Sequence, residues 1–171
     1  LKGFGKKTQD TIIKGIELKK KYLGSQSIAY ALELYSHINK ELISNGKISH
    51  ISETGEVRRR NETAGSLEIL FSSPEPETVF EKFTSLPCFT QITEQNQNHT
   101  STATAENFRV CLTNCPTPLY QWQLFTETGG KPHTDKVIQI LQSKGYSINN
   151  QGLLTDSEGK VVEIPDEQAI Y

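Results

Sequence analysis

No apolar run in this 171-residue chain approaches the roughly 20 residues that span a bilayer. Nor does a short hydrophobic segment with a cleavage site follow a basic start. Neither a membrane-spanning helix nor a secretory leader is expected, and a cytoplasmic location is the default expectation. Cysteine is scarce as well. Cys88, Cys111 and Cys115 are odd in number and lack C-x-x-C spacing, which argues against a disulfide framework and against a structural zinc knuckle. Buried thiols in a reducing compartment are the simplest expectation. Charge of one sign is also missing. With 18 Lys and Arg against 20 Asp and Glu, the net charge is -2, so overall charge supplies no attraction to a polyanion. The first residue is Leu1, not an initiator methionine, and it opens inside a motif. A segment of a longer protein is expected.

The charge that is present is local. Lysines crowd Lys2 to Lys21, and Arg58-Arg59-Arg60 form a second basic cluster, so patches rather than the whole molecule could meet a polyanion. Composition is that of a globular chain, long enough for one ordinary core or two small ones.

Punctuation and periodicity divide the chain. Gly3-Phe4-Gly5-Lys6-Lys7-Thr8 precedes apolar positions Ile12, Ile13 and Ile16, which predicts a glycine hairpin feeding a helix that ends near Gly24. Ile28, Ala31, Leu32, Tyr35, Ile38 and Leu42 predict a second helix over Ser27 to Asn45, stopped by Asn45-Gly46. Strands follow at Ile48 to Thr54 and Leu67 to Ser72, then a helix opened by Ser73-Pro74-Glu75-Pro76 that buries Val79, Phe80, Phe83 and Leu86. Alternating strands are predicted at Phe89 to Glu94, Thr100 to Ala105 and Phe108 to Asn114, with Ala105-Glu106-Asn107 a tight connection. Cys115-Pro116-Thr117-Pro118 interrupts any ladder or helix. Beyond it come helices at Leu119 to Phe125 and His133 to Lys144 and a hairpin across Asp156-Ser157-Glu158-Gly159. The fold class is α+β: helices, a mixed sheet flanked by helices, then a small α+β appendage.

The stretch Glu53 to Ser73, ETGEVRRRNETAGSLEILFSS, carries a glycine turn, an arginine run, Glu62-Thr63, a second turn at Gly65 and the alternating strand Leu67 to Phe71. It resembles the palm signature of bacterial family X DNA polymerases, the kind fused to a PHP domain. Leu1 to Glu17, LKGFGKKTQDTIIKGIE, resembles that family's helix-hairpin-helix, with Lys2 in a proline place, and Asn149 to Lys160 resembles the thumb's closing hairpin. The resemblance runs nearly end to end. It implies a helix-hairpin-helix remnant of the fingers at 1–24, a nucleotidyltransferase-like palm at 25–117 and a thumb-like subdomain at 118–171.

It also implies where chemistry would sit. The family's three metal-binding aspartates fall on Ser66, Glu68 and Cys111, so the catalytic positions are degenerate and none is intact. Two magnesium ions close together need several carboxylate oxygens, and a hydroxyl, one carboxylate and a soft sulfur are a poor set. Glu68 is either a surviving single metal ligand or a solvated carboxylate. The triphosphate site keeps Gly55 and Arg59, yet Glu56 stands where a serine would hold phosphate, and Thr126-Glu127 replace an aromatic pair beside the incoming sugar. As an extended run, Arg58-Arg59-Arg60 would point Arg59 into the cleft and pair Arg58 and Arg60 with acids. DNA-contacting positions are Gly3, Gly5, Lys6, Lys7 and Thr8, where a glycine turn at a helix start presents N–H groups to a phosphate. His133, near the template in the family, is a further candidate. Trp122 is expected to anchor the first thumb helix, and Cys111 to be a buried thiol.

The expected function is DNA binding and scaffolding in repair, with nucleotidyl transfer lost and a C-terminal PHP domain supplying any catalysis. No cofactor is then required. The alternative is an active gap-filling polymerase with Mg2+ on substituted ligands, acting on primer-template or gapped DNA.

Overall fold

A computed structural model describes residues 5, 8–13, 15, 24–44, 46–96 and 100–171. Its centre is a five-stranded sheet in the order β2-β4-β7-β6-β5, formed by β2 (His50–Glu53), β4 (Ser66–Ser72), β5 (Gln91–Asn96), β6 (Thr100–Ala105) and β7 (Phe108–Asn114). Strands β4 and β7 are parallel and the other neighbours antiparallel. A two-residue pair, β1 (Gln26–Ser27) with β3 (Thr63–Ala64), lies apart from it.

One face of the sheet is covered by α1 (Ile28–Ile43) and α3 (Pro76–Thr84). Helix α1 begins where the Ser27 hydroxyl accepts the Tyr30 N–H at 3.3 Å, a cap worth about 1 kcal/mol. It then buries Ala31, Leu34, Ile38 and Leu42 at helical spacing. These side chains meet Leu67, Ile69 and Phe71 of β4 and Phe108, Val110 and Leu112 of β7, the alternate residues of each strand. The other face is covered over only part of its length. Leu70 packs there with Cys115, Tyr120 and Leu124, the last two on α4 (Tyr120–Thr128), which a 3-10 turn at Thr117–Leu119 leads into. Ser66 and Glu68, nearer the start of β4, remain half-buried beside that helix.

A second core gathers Trp122 and Phe125 of α4, Val137 and Leu141 of α5 (Lys131–Ser143), and Leu154, Ile164 and Ile170. Trp122 anchors α4 as expected, and its Nε1 donates to the Gly152 carbonyl at 2.9 Å. The closing ladder differs in place from the expectation. β8 (Ser147–Ile148) pairs with β9 (Leu154–Thr155) across Asn149 to Leu153, where Asn149 Oδ1 accepts the N–H groups of Gln151 and Leu153. The Asp156 turn is organised in the same way, by Glu158 and Lys160 N–H groups on Asp156 Oδ1, but closes only a single bridge, Thr155 to Val161.

The arginine run also differs. It is not extended. Gly55 takes φ +56, a left-handed value cheap for glycine, and the chain coils at once into α2 (Gly55–Arg58), burying Val57. Arg59 closes that turn, and Arg60 itself lies at φ +59.

Candidate functional site

Parallel pairing of β4 with β7 sets Ser66 opposite Arg109 and Glu68 opposite Cys111. Side chains two apart on a strand share a face, so these four project together from the sheet surface not occupied by Leu67, Ile69, Val110 and Leu112. The positions Ser66, Glu68 and Cys111 are thus brought to one patch. Ser66 Oγ donates to Glu68 Oε1 at 2.7 Å, and Arg109 Nη2 donates to the same oxygen at 3.1 Å. Cys111 is only 8% exposed, with Sγ 3.8 Å from Thr102 Oγ1 and 3.9 Å from Thr113 Oγ1. Burial, and then the charge on Glu68, push its thiol up. At neutral pH it is protonated, which suits neither a nucleophile nor a metal ligand.

One residue of this neighbourhood, Arg109, was not legible beforehand as part of it, although its place two residues before Cys111 was an available signal. Glu127 on α4, expected beside the incoming sugar in place of an aromatic residue, lies close enough to Glu68 to feel its charge. Burial pushes its carboxyl up, a hydrogen bond from Gln123 Nε2 at 2.8 Å pulls the other way, and the charge on Glu68 raises it further. Glu127 is therefore an acid held where its negative charge is penalised.

A pair of magnesium ions does not fit this donor set. One carboxylate, one hydroxyl and one protonated thiol cannot offset the mutual repulsion of two hard dications. Moreover, the Glu68 oxygen already receives two donors. Among the described residues, no three His, Cys, Asp or Glu side chains are grouped to hold a metal ion.

The positions aligned with triphosphate binding are engaged internally. Glu56 Oε2 accepts the Gly65 N–H at 2.8 Å, which ties the Gly55 and Gly65 turns together. Gly55 lies against the Glu68 side chain, since a Cβ there would stand 3.8 Å from Glu68 Cγ. Arg59 is exposed and its Nη1 donates to the Thr128 carbonyl at 2.6 Å. Arg58 makes a two-pronged pair with Glu167, at 2.8 and 2.6 Å, and also reaches Thr128 Oγ1 at 3.1 Å. The hydrogen bonds to Glu167 outweigh burial and raise the Arg58 pKa. Arg60 donates to Glu53 Oε1 at 2.9 Å and to the Val57 carbonyl at 2.7 Å. Arg58 and Arg60 thus find acids, as the extended reading also had it, but a helical turn rather than strand alternation separates them from Arg59.

Between α2 and the start of α5 lies a cleft of about 340 Å³, lined by Arg58, Arg59, Phe125, Gly129, His133 and Tyr171 among others. His133 sits in the first turn of α5, with Nε2 2.9 Å from the Tyr171 hydroxyl. Far from it in sequence, the Gly5 carbonyl accepts the N–H groups of Thr8 and Gln9, and residues 8–13 are helical and exposed. Gly3, Lys6 and Lys7 lie outside the described residues. Among the described residues, no helix is long and apolar enough to cross a membrane.

Two comparisons with known proteins bear on this arrangement. Residues 123–171, from within α4 onward, match the family model of the DNA polymerase beta thumb. The whole chain aligns over 178 positions, at 28% identity, with the DNA polymerase/3'-5' exonuclease PolX of Bacillus subtilis (strain 168). It covers 30% of the length of that relative.

Proposed function

This chain is a family X DNA polymerase-like segment, and from that premise we propose that it binds DNA and positions a neighbouring domain in repair, its nucleotidyl-transfer chemistry lost. The observation that carries the reading is the condition of Glu68. It is the one carboxylate left among three aligned acid positions, and hydrogen bonds from Ser66 and Arg109 already occupy it. Loss of the neighbouring function is in keeping with this, because Glu56 puts an anion where a triphosphate would lie and Arg59 is turned onto a backbone carbonyl. DNA is held on this reading by Gly3, Gly5, Lys6, Lys7 and Thr8, and by His133 in the first turn of α5. In the whole protein a PHP domain, a metal-dependent phosphoesterase or nuclease, supplies the catalysis, in the cytoplasm.

The alternative is a gap-filling polymerase with substituted ligands, in which Glu127 would join Glu68 beneath Mg2+. Its raised carboxyl and its hydrogen bond to Gln123 weigh against that.

Binding of the chain to gapped DNA across a salt series tests the DNA reading. Each phosphate contact contributes a log-log slope of roughly 0.9. The expected result is tight binding at low salt that weakens steeply and is cut by the joint Lys6→Ala and Lys7→Ala change. Absent binding at low salt, or binding indifferent to that change, would leave only an interdomain structural role.

A further inference from the structure

The sheet face around Glu68 has a cation of its own. Arg109 stands opposite Ser66 in the β4–β7 ladder, and the pleat places it on the face shared by Ser66, Glu68 and Cys111. Its guanidinium lies 3.1 Å from Glu68 Oε1. A guanidinium keeps its charge at every pH at which a protein stays folded and offers several N–H donors from a planar group. Among the four strand side chains the charges then cancel, with Glu127 of α4 a further acid nearby. Glu68 contributes one negative charge and Arg109 one positive, while Ser66 and the protonated Cys111 contribute none. Three carboxylates at the aligned positions would repel one another, a repulsion that bound dications relieve.

We propose that Arg109 is the resident counterion of this patch, so that a side chain, and not divalent cations, balances the charge on this face of the sheet. The proposal rests on the reading that nucleotidyl transfer is lost, and it accounts for how the face stays stable without its ions. Arg109 acts here as a positioning residue. It fixes the Glu68 carboxylate against β7, and Ser66 holds the same oxygen from β4.

The test is urea unfolding of the full chain, chosen because urea does not screen charge. Arg109→Gln, Glu68→Gln, the double variant and Arg109→Lys are compared, each with and without millimolar manganese at matched ionic strength. The expected result is a coupling of roughly two- to five-fold in the unfolding constant between positions 109 and 68. Arg109→Lys retains much of that coupling, and manganese leaves the wild-type midpoint in place. Strictly additive single changes would overturn the proposal. So would a manganese-dependent rise in the wild-type midpoint that Glu68→Gln abolishes. Additivity with primer extension still absent removes this inference and spares the proposed function. Primer extension with the coupling intact does the reverse.

Discussion

Replacing Glu167 with Gln should loosen the last 3-10 turn from α2. Glu167 lies in the 3-10 turn Glu167–Ile170 and receives both prongs of Arg58, at 2.8 and 2.6 Å, with the two side chains 27% and 32% exposed. Fully exposed ion pairs contribute about 0.2–1 kcal/mol, whereas stripping one partner from a buried pair costs about 3–5 kcal/mol. A two-thirds-buried pair lies between, and the amide oxygen can keep one of the two hydrogen bonds. About 1–2 kcal/mol is therefore the expected loss, which for a chain of this size lowers the melting temperature by roughly 2–8 °C. The turn also carries Ile170 into the core beside Trp122 and Phe125, so cleavage by a protease near the end of the chain should quicken in parallel. The measurement is thermal unfolding of Glu167→Gln in the wild-type and Arg58→Met backgrounds. An equal fall in both backgrounds, or no fall in either, would refute the role given to the pair.

Glu127→Gln should stabilise the chain at neutral pH by a few tenths of a kcal/mol to about 1 kcal/mol, because it removes a penalised charge near Glu68 while its amide oxygen still accepts from Gln123. A lower urea midpoint for this variant would contradict that account. Alkali should destabilise the fold between about pH 9 and 12. Burial, then the charge on Glu127, push the Cys115 thiol from its ordinary 9.0 up to about 12. Burial, then Glu53, raise Tyr35 from 10.0 to about 12. Because the folded chain holds these protons more tightly, their stabilisation is complete below the unfolded values and is lost as pH rises through the folded ones. Urea midpoints across that range should fall, and less steeply in Cys115→Ala. A flat profile would count against buried, neutral groups at these positions.

Much of the framework was legible because it is local. The helical spacing of Ala31, Ile38 and Leu42 gave α1, and the pair Glu106 and Asn107, at φ +47 and +64, makes the tight turn expected between β6 and β7. What failed depended on tertiary choice. Strand β5 begins at Gln91 rather than Phe89, since the Phe89 N–H closes a turn onto the Leu86 carbonyl and its ring is drawn onto Phe83, 4.7 Å away. The arginine run looked extended because its alternation hid the burial of Val57, which coils the chain after Gly55. In the thumb, two neighbouring turns each had the chemistry to close a hairpin, and the one flanked by Ile148 and Leu154 made the ladder. The candidate site was half legible. Ser66, Glu68 and Cys111 do converge, and Glu127 stands near them as its alignment implied, but the ion pair of Arg109 with Glu68 depends on the register of the parallel β4–β7 ladder, which the sequence did not show.

Primer extension tests the central claim most directly. The purified chain is given primer-template or gapped DNA and all four deoxynucleoside triphosphates, with magnesium or with manganese. A retained scaffold whose chemistry has gone predicts no added nucleotide under either metal. Extension that disappears in Glu68→Ala would contradict it, because Glu68 would then be serving a metal and not Arg109.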